Sequence, residues 1–366
     1  MSKLRFILLL LAVALAGACA PQSEPTDTTA RRLVIYSTTD LESFQPVLDD
    51  YKNLHPDVEV EYVALDAGPL YERFLDEARR GTSTADVLLS SAMDLQVKLV
   101  NDGFAMTHDS ANARALPSWA RWRGQALGFT FEPVVMVFNR RLLGDRPPPR
   151  SRSELLTALK SEPEFWRGRI GTYDAERSNA GYLLVTQDVQ QSETFGALLQ
   201  AMGEVDIQKL DNTAAILDRL ASGRLVAGYN LLGSYARTRI DQGAPLLLVY
   251  PEDYTLAVSR TAVVPAAAPH PDAAHSFLEY LLSIRGQQVL TTRSRLNAVR
   301  QEIQGPYAQS GVFNRELGTI RPISLGPGLL VYLDQQKRER FLDIWRRAMS
   351  STSPKAPRPS DIPTAR

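Results

Sequence analysis

One cysteine and four histidines are all the thiol and imidazole that the 366 residues carry. The cysteine, Cys19, stands near the N-terminus, so the remainder of the chain has neither a disulfide nor thiol chemistry. His55, His108, His270 and His275 include no pair at metal-ligand spacing. Also missing are a Gly-x-Ser-x-Gly elbow, a phosphate-binding P-loop and a Gly-x-Gly-x-x-Gly turn. Charge of one sign is absent too: Lys+Arg and Asp+Glu both number 41, and no basic stripe with interleaved aromatics suggests nucleic acid. No repeat of solenoid period is visible. A carboxylate pair could still assemble on folding, so these absences disfavour catalysis without excluding it.

Long apolar runs are scarce. The first, Phe6–Leu15, follows Lys3 and Arg5 and leads through Ala16-Gly17-Ala18 to Cys19. It is shorter than the ~20 residues of a membrane span, and it has the charged start, apolar middle and small-residue end of a secretion signal. A cysteine at this position resembles the lipobox of bacterial lipoproteins, in which it is diacylated and becomes the new N-terminus. The departure is Ala16, where the lipobox prefers Leu. Residues 1–18 are therefore expected to be a signal peptide and 19–31 a lipidated Cys19 with a flexible, polar tether. A processed signal with an incidental cysteine is the alternative.

The second long apolar stretch is Leu127–Leu143, LGFTFEPVVMVFNRRLL. Its β-branched and aromatic residues read as strand, but Pro133 argues against a central hydrogen-bonded strand. The same alternation of strands with amphipathic helices occurs on both sides. We read the stretch as a crossing between two α/β lobes, against the alternative of one buried strand in a single larger sheet. Ala262–Pro265, after Leu246–Tyr250, reads as the return crossing. The expected layout is lobe 1 over 32–132 and 256–305, lobe 2 over 133–255, a C-terminal helical segment over 306–350, and a disordered tail over 351–366.

In the first lobe, two strands end in hydroxyl pairs before a helix begins: Thr38-Thr39 after Leu33–Tyr36, and Ser90-Ser91 after Ala85–Leu89. Ligands of open α/β sheets bind beyond such carboxyl ends, although small hydroxyls are also ordinary turn residues. Asp40 is placed to cap the helix that follows Thr39. In the second lobe, GRIGT runs into Tyr173–Gly181, where Ser178 can cap a helix whose free N–H groups favour an anion. Arg177 beside it reads either as a ligand or as a solvated charge. Asp272–Leu290 reads as one amphipathic helix.

Four segments together resemble the bacterial extracellular solute-binding proteins of ABC importers: LVIYSTTD, FEPVVMVFNRRLL, GRIGTYDAERSNAG and PDAAHSFLEYLLSIRGQQVL. The resemblance spans roughly Leu33 to Arg300. It implies a two-lobed class II periplasmic-binding fold, each lobe a mixed sheet flanked by helices, that closes on its ligand by hinge motion. The branch it resembles holds ferric-ion, phosphoglycerate and sugar-phosphate binders. Ferric binders use adjacent tyrosines, whereas this chain has Tyr229 and Tyr235 apart, so a small phosphorylated or carboxylated solute is the better expectation. Its ligands are expected to be Thr38, Thr39, Ser90 and Ser91 from lobe 1 with Arg177, Ser178, Asn179 and Tyr229 from lobe 2. No cofactor, metal or nucleic acid is expected. The partner would be an inner-membrane permease, and the protein a periplasmic monomer anchored through Cys19. Ferric binding through Tyr229 and Tyr235, or a sensor or accessory role for a lipoprotein of the same fold, are the alternatives.

If Cys19 is the anchor, Cys19→Ala should move the protein to the soluble periplasmic fraction or leave it unprocessed. Labelling with a fatty-acid analogue checks this: wild type should incorporate the label and the variant should not.

Overall fold

The computed structural model describes residues 31–309 and 319–350. Cys19, the signal, most of the tether and the tail lie outside the described residues.

The chain folds into two lobes, each built on its own sheet. The first begins with β1 (Arg31–Ser37), β2 (Val58–Ala64) and β3 (Val87–Ser90), which pair in parallel around β1. The short β4 (Arg121–Trp122) and β5 (Ala126–Gly128) extend this sheet at the far edge. The second is centred on β6 (Glu132–Asn139), every residue of which is buried. Around it lie β7 (Ile170–Tyr173), β8 (Gln208–Leu210), β9 (Ala227–Leu232), β10 (Leu246–Val249) and β11 (Thr255–Val258). β12 (Thr261–Val263) returns to the first sheet between β3 and β5, and β13 (Ile320–Pro322) adds to β11.

Pro133 does sit in a central strand, contrary to the objection raised from sequence. It occupies the second residue of β6, beside Ala257 of β11, at the end where the strand enters the sheet. A proline there deletes one N–H and leaves the rest of the ladder intact. The return crossing falls at Ser259-Arg260, because Thr255–Val258 still pair with β6 and β13. The two crossings run side by side: Phe129 N–H donates to Arg260 O at 2.8 Å, and Arg260 N–H to Thr130 Oγ1 at 2.8 Å.

Helices cover both sheets. Leu41–Leu54, expected from the spacing of its apolar residues, buries Phe44, Val47, Leu48 and Tyr51. The stretch expected as one helix over 272–290 is two, Pro271–Leu282 and Ile284–Thr292. Ser283 breaks it by adopting an extended backbone and capping the second helix, its Oγ accepting from Gly286 N–H at 3.1 Å. Hydroxyl capping competes with helix continuation, and here it wins.

The C-terminal segment touches both lobes. Helix Gln335–Met349 buries Phe341, Leu342 and Trp345 with second-lobe residues such as Leu198, Met202 and Tyr182. Just before it, the 3₁₀ turn Pro327–Leu333 sets Leu329 in one cluster with Met93, Val97 and Val100 of the first-lobe helix Met93–Asn101. Asp94 on that helix is 3% exposed. Burial pushes its carboxyl up to about 7, against the opposing pull of the Leu95 N–H and the charge of Arg338. An acid whose folded pKa is raised stabilises the fold at low pH and loses that contribution as pH climbs from its ordinary range through 7. Ionising it inside the fold costs on the order of a few kcal/mol. Asp94→Asn should therefore raise the melting temperature by several degrees at pH 8 and barely change it near pH 4, as read by calorimetry at both pH values.

Candidate functional site

Between the lobes lies a cleft of about 560 Å³. Its walls are helix starts. From the first lobe come Thr38–Asp40 at the end of β1, Asp66–Pro69 leading into helix Ala67–Arg80, and Ser91. From the second come Arg177–Ala180 at the start of helix Asn179–Gln191 and Asp211–Ala214 at the start of helix Thr213–Ala221. Ala64, Leu65, Tyr173, Leu232, Tyr235 and Arg260 complete the lining.

The two walls differ in how their helices are finished. Ser178 Oγ accepts from Gly181 N–H at 3.2 Å, and Asn212 Oδ1 from Ala215 N–H at 2.9 Å, so these two second-lobe helices are capped, while Gly233–Asp241, with Leu232 at its capping position, is not. On the first-lobe side Asp40, Asp66 and Ala92 hold the capping positions of their helices, and none makes a side-chain cap. Asp40, expected from sequence to cap, instead accepts a hydrogen bond from Tyr235 of the opposite lobe at 3.1 Å. The first-turn N–H donors of the Leu41–Leu54 and Ala67–Arg80 helices thus lack side-chain caps where these helices begin beside the cleft, whereas in Met93–Asn101 the Leu95 N–H is taken by Asp94 Oδ1 at 3.0 Å.

At the seam of the lobes lies Arg260, only 2% exposed. Its Nη1 donates to Thr39 Oγ1 at 3.0 Å, its Nε reaches Glu132 Oε1 at 3.4 Å, and its guanidinium lies 5.2 Å from the Tyr235 ring centre. Its Nη2, buried, has no hydrogen-bond partner among the described residues. Burial works against the charge, but Tyr235, Glu132 and Asp40 outweigh it and keep the guanidinium protonated. Glu132 is fully buried, and desolvation raises its carboxyl against the pull of Arg260.

Of the residues expected at the site, Thr38, Thr39, Ser91, Arg177, Ser178 and Asn179 line the cleft. Thr38 Oγ1 accepts from Ser91 N–H at 3.1 Å, tying the ends of β1 and β3 together. Thr39 is buried behind it and holds Arg260. Ser90 lies off the cleft: it is buried, and its Oγ accepts from Ala92 N–H at 3.1 Å. Arg177 stands on the rim, already paired with Asp211 at 2.8 Å and Asp174 at 3.2 Å.

Tyr229 also lies off the cleft. Its hydroxyl donates to Asp188 Oδ2 at 2.9 Å, inside a buried cluster in which Asp188 accepts also from Arg152, Asn230 and Tyr254. Four donors on one buried carboxylate satisfy it without solvent. Burial raises the Tyr229 phenol well above its ordinary value, so it stays protonated. Sequence reasoning missed Arg260, Glu132 and Tyr235's reach to Asp40. A signal for the first two existed: each is the lone charge in an apolar crossing, Glu132 in Leu127–Phe138 and Arg260 in Leu256–Pro265.

Two lobes, each offering strand ends and helix starts to a polar cleft at a double crossing, define a protein that holds a small solute between domains. The comparisons agree. Residues 37–288 match the model of the family described as bacterial extracellular solute-binding protein. The substrate-binding protein of an ABC transporter from Agrobacterium tumefaciens is 37% identical with a TM-score of 0.82, covering 88% of this chain and 96% of its own. Two more distant structures share the fold. AfuA from Actinobacillus pleuropneumoniae, with fructose-6-phosphate bound, is 20% identical with a TM-score of 0.73, over 87% of this chain and 98% of its own. Iron-bound HitA from Pseudomonas aeruginosa is 18% identical with a TM-score of 0.67, over 87% and 99%. No curated protein matches the chain. The chain belongs to the bacterial extracellular solute-binding proteins, as the solute-binding component of an ABC transporter. That role implies a periplasmic location, a small-molecule ligand and a permease partner, within a family of binding proteins and not of enzymes.

Since Tyr229 serves the Asp188 cluster, Tyr229→Phe should lower stability by about 1–3 kcal/mol, by leaving a buried charged acceptor short of one donor. Solute affinity should stay within about twofold of wild type. Denaturant melts and titration calorimetry on the same preparation check both halves.

Proposed function

We propose that the cleft binds a small organic anion, with a phosphate or carboxylate group set against Arg260. One observation carries the reading: a nearly fully buried arginine, bordering the cleft, with Nη2 unpartnered among the described residues. An unmatched buried guanidinium is costly, and an incoming oxyanion would satisfy it with a charge-assisted hydrogen bond of about 1.5–3 kcal/mol. Uncapped first-lobe helix starts would add donors from Thr38, Thr39 and Ser91 outward. Asn179, Ser178 and Arg177 would close over the solute from the other wall. Ser90 and Tyr229 would support this arrangement from behind without touching the solute.

The size of the cleft favours an organic metabolite over an inorganic ion. Asp40, Asp66 and Asp211 on its wall are acceptors for hydroxyl groups of such a molecule. Ferric binding is the weaker reading, because Tyr229 and Tyr235 do not meet: one lies in the Asp188 cluster, the other lines the cleft. The protein would act without catalysis, as a monomer held at the membrane through Cys19.

The test is a thermal-shift screen against glucose 6-phosphate, glycerol 3-phosphate, 3-phosphoglycerate, citrate and ferric citrate, followed by calorimetry on each hit. A phosphorylated or carboxylated compound should bind, and Arg260→Gln should weaken it roughly ten- to hundredfold. A visible absorption band with ferric citrate that disappears in Tyr235→Phe would reverse the choice of ligand. Undiminished affinity in Arg260→Gln would remove Arg260 from the site.

A further inference from the structure

Glu132 sits at the opening of β6, fully buried, and reaches the Nε edge of Arg260 at 3.4 Å. Its other polar neighbour is Ser234, at the start of helix Gly233–Asp241. It does not line the cleft. The arginine therefore has two faces: one held inside the hinge by Glu132 and Thr39, the other presenting Nη2 without a partner. Thr39 is neutral, so among the described residues Glu132 is the one carboxylate with which Arg260 forms a salt bridge. An anion at Nη2 would share the guanidinium with that carboxylate.

We propose that Glu132 is a specificity-determining residue, competing with the solute for Arg260 and thereby disfavouring doubly charged groups relative to singly charged ones. The inference rests on the reading of Arg260 as the anion's partner. The physical reason is short. A guanidinium already half neutralised attracts a second anion less, and Glu132 repels that anion through a desolvated space. The repulsion grows in proportion to the solute's charge, so its effect on a dianion is the square of its effect on a monoanion. A structural role for Glu132, merely holding Arg260 in place, makes the opposite forecast: its loss should weaken every anion.

Sulfate and methanesulfonate separate the two. They present the same sulfonyl oxygens but differ by one charge, and both keep that charge across the neutral range. Ligand-stripped wild type, Glu132→Gln, Glu132→Asp and Arg260→Gln are titrated with each salt by calorimetry at pH 7.5. Glu132→Gln should tighten methanesulfonate about threefold and sulfate about tenfold, with sulfate gaining more. Glu132→Asp, which keeps the charge, should not show the larger gain for sulfate that marks Glu132→Gln. Equal or weaker binding of both salts in Glu132→Gln, with Arg260→Gln abolishing binding, overturns the role of Glu132 alone. Binding that is unaffected in Arg260→Gln, or absent from every protein, overturns the anion reading beneath it.

Discussion

A charge buried at the seam between two domains is the constraint around which this molecule is arranged. Two adjacent chain segments, into β6 and out of β11, pass from one sheet to the other, and each is apolar because it runs through the interior. Each nevertheless carries one ionisable residue, Glu132 outward and Arg260 on the return. Neither would be tolerable alone, since an unpaired ion in such surroundings costs several kcal/mol. Pairing makes the double crossing possible, but incompletely: one long contact to Glu132 and one bond to Thr39 leave part of the guanidinium unmatched. Arg260 as a residue borders the cleft, the region from which a solute could make the shortfall good.

Magnitudes rank the contributions to such a site. A helix start contributes roughly 0.3–1 kcal/mol toward an anion at a surface, and more only when partly buried. The uncapped first-lobe starts together therefore match, at best, one charge-assisted bond from a desolvated arginine. Arg177, half-exposed and already shared between Asp174 and Asp211, ranks well below both. Among the helices that begin at the cleft, those led by Ser178 and Asn212 are closed by side chains, whereas those led by Asp40, Asp66 and Leu232 are not.

Much of the fold was legible because it follows from periodicity. The Leu41–Leu54 helix, the Met93–Asn101 helix and the alternation of strand and helix come from local spacing of apolar residues. The hydroxyl pairs were legible as turn residues, yet adjacent residues do not share an environment, so Ser91 reached the cleft while Ser90 turned inward. Tyr229 was misleading for a related reason. A tyrosine near a strand end carries no mark of the face it occupies, and a buried carboxylate forty-one positions earlier claimed its hydroxyl. Arg260 escaped notice because its partners, Thr39 and Glu132, are brought to it by topology, at separations of 221 and 128 residues. The single helix expected over 272–290 failed on one hydroxyl, Ser283, whose capping geometry outweighed the surrounding helical pattern.

The position of Arg260 also separates two parts of binding. Arg260 lies at a crossing about which lobes of this kind rotate, so a contact to it would be available in open and closed forms alike. The outer lip is different. Gly68 of the first lobe and Asn179 of the second approach so closely that a Cβ on Gly68 would stand 2.9 Å from Asn179 Oδ1. Tyr235 similarly reaches Asp40 only when the lobes are near. A ligand shifts the open–closed balance only by its differential affinity for the two forms. The arginine contact, common to both, would raise affinity without driving closure. On the proposed reading closure would be driven by groups at the second-lobe wall, from Arg177 to Ala180 and from Asp211 to Ala214, which would meet the solute once the lips approach. On that reading, recognition of charge and commitment to the closed state would fall to different residues of one cleft.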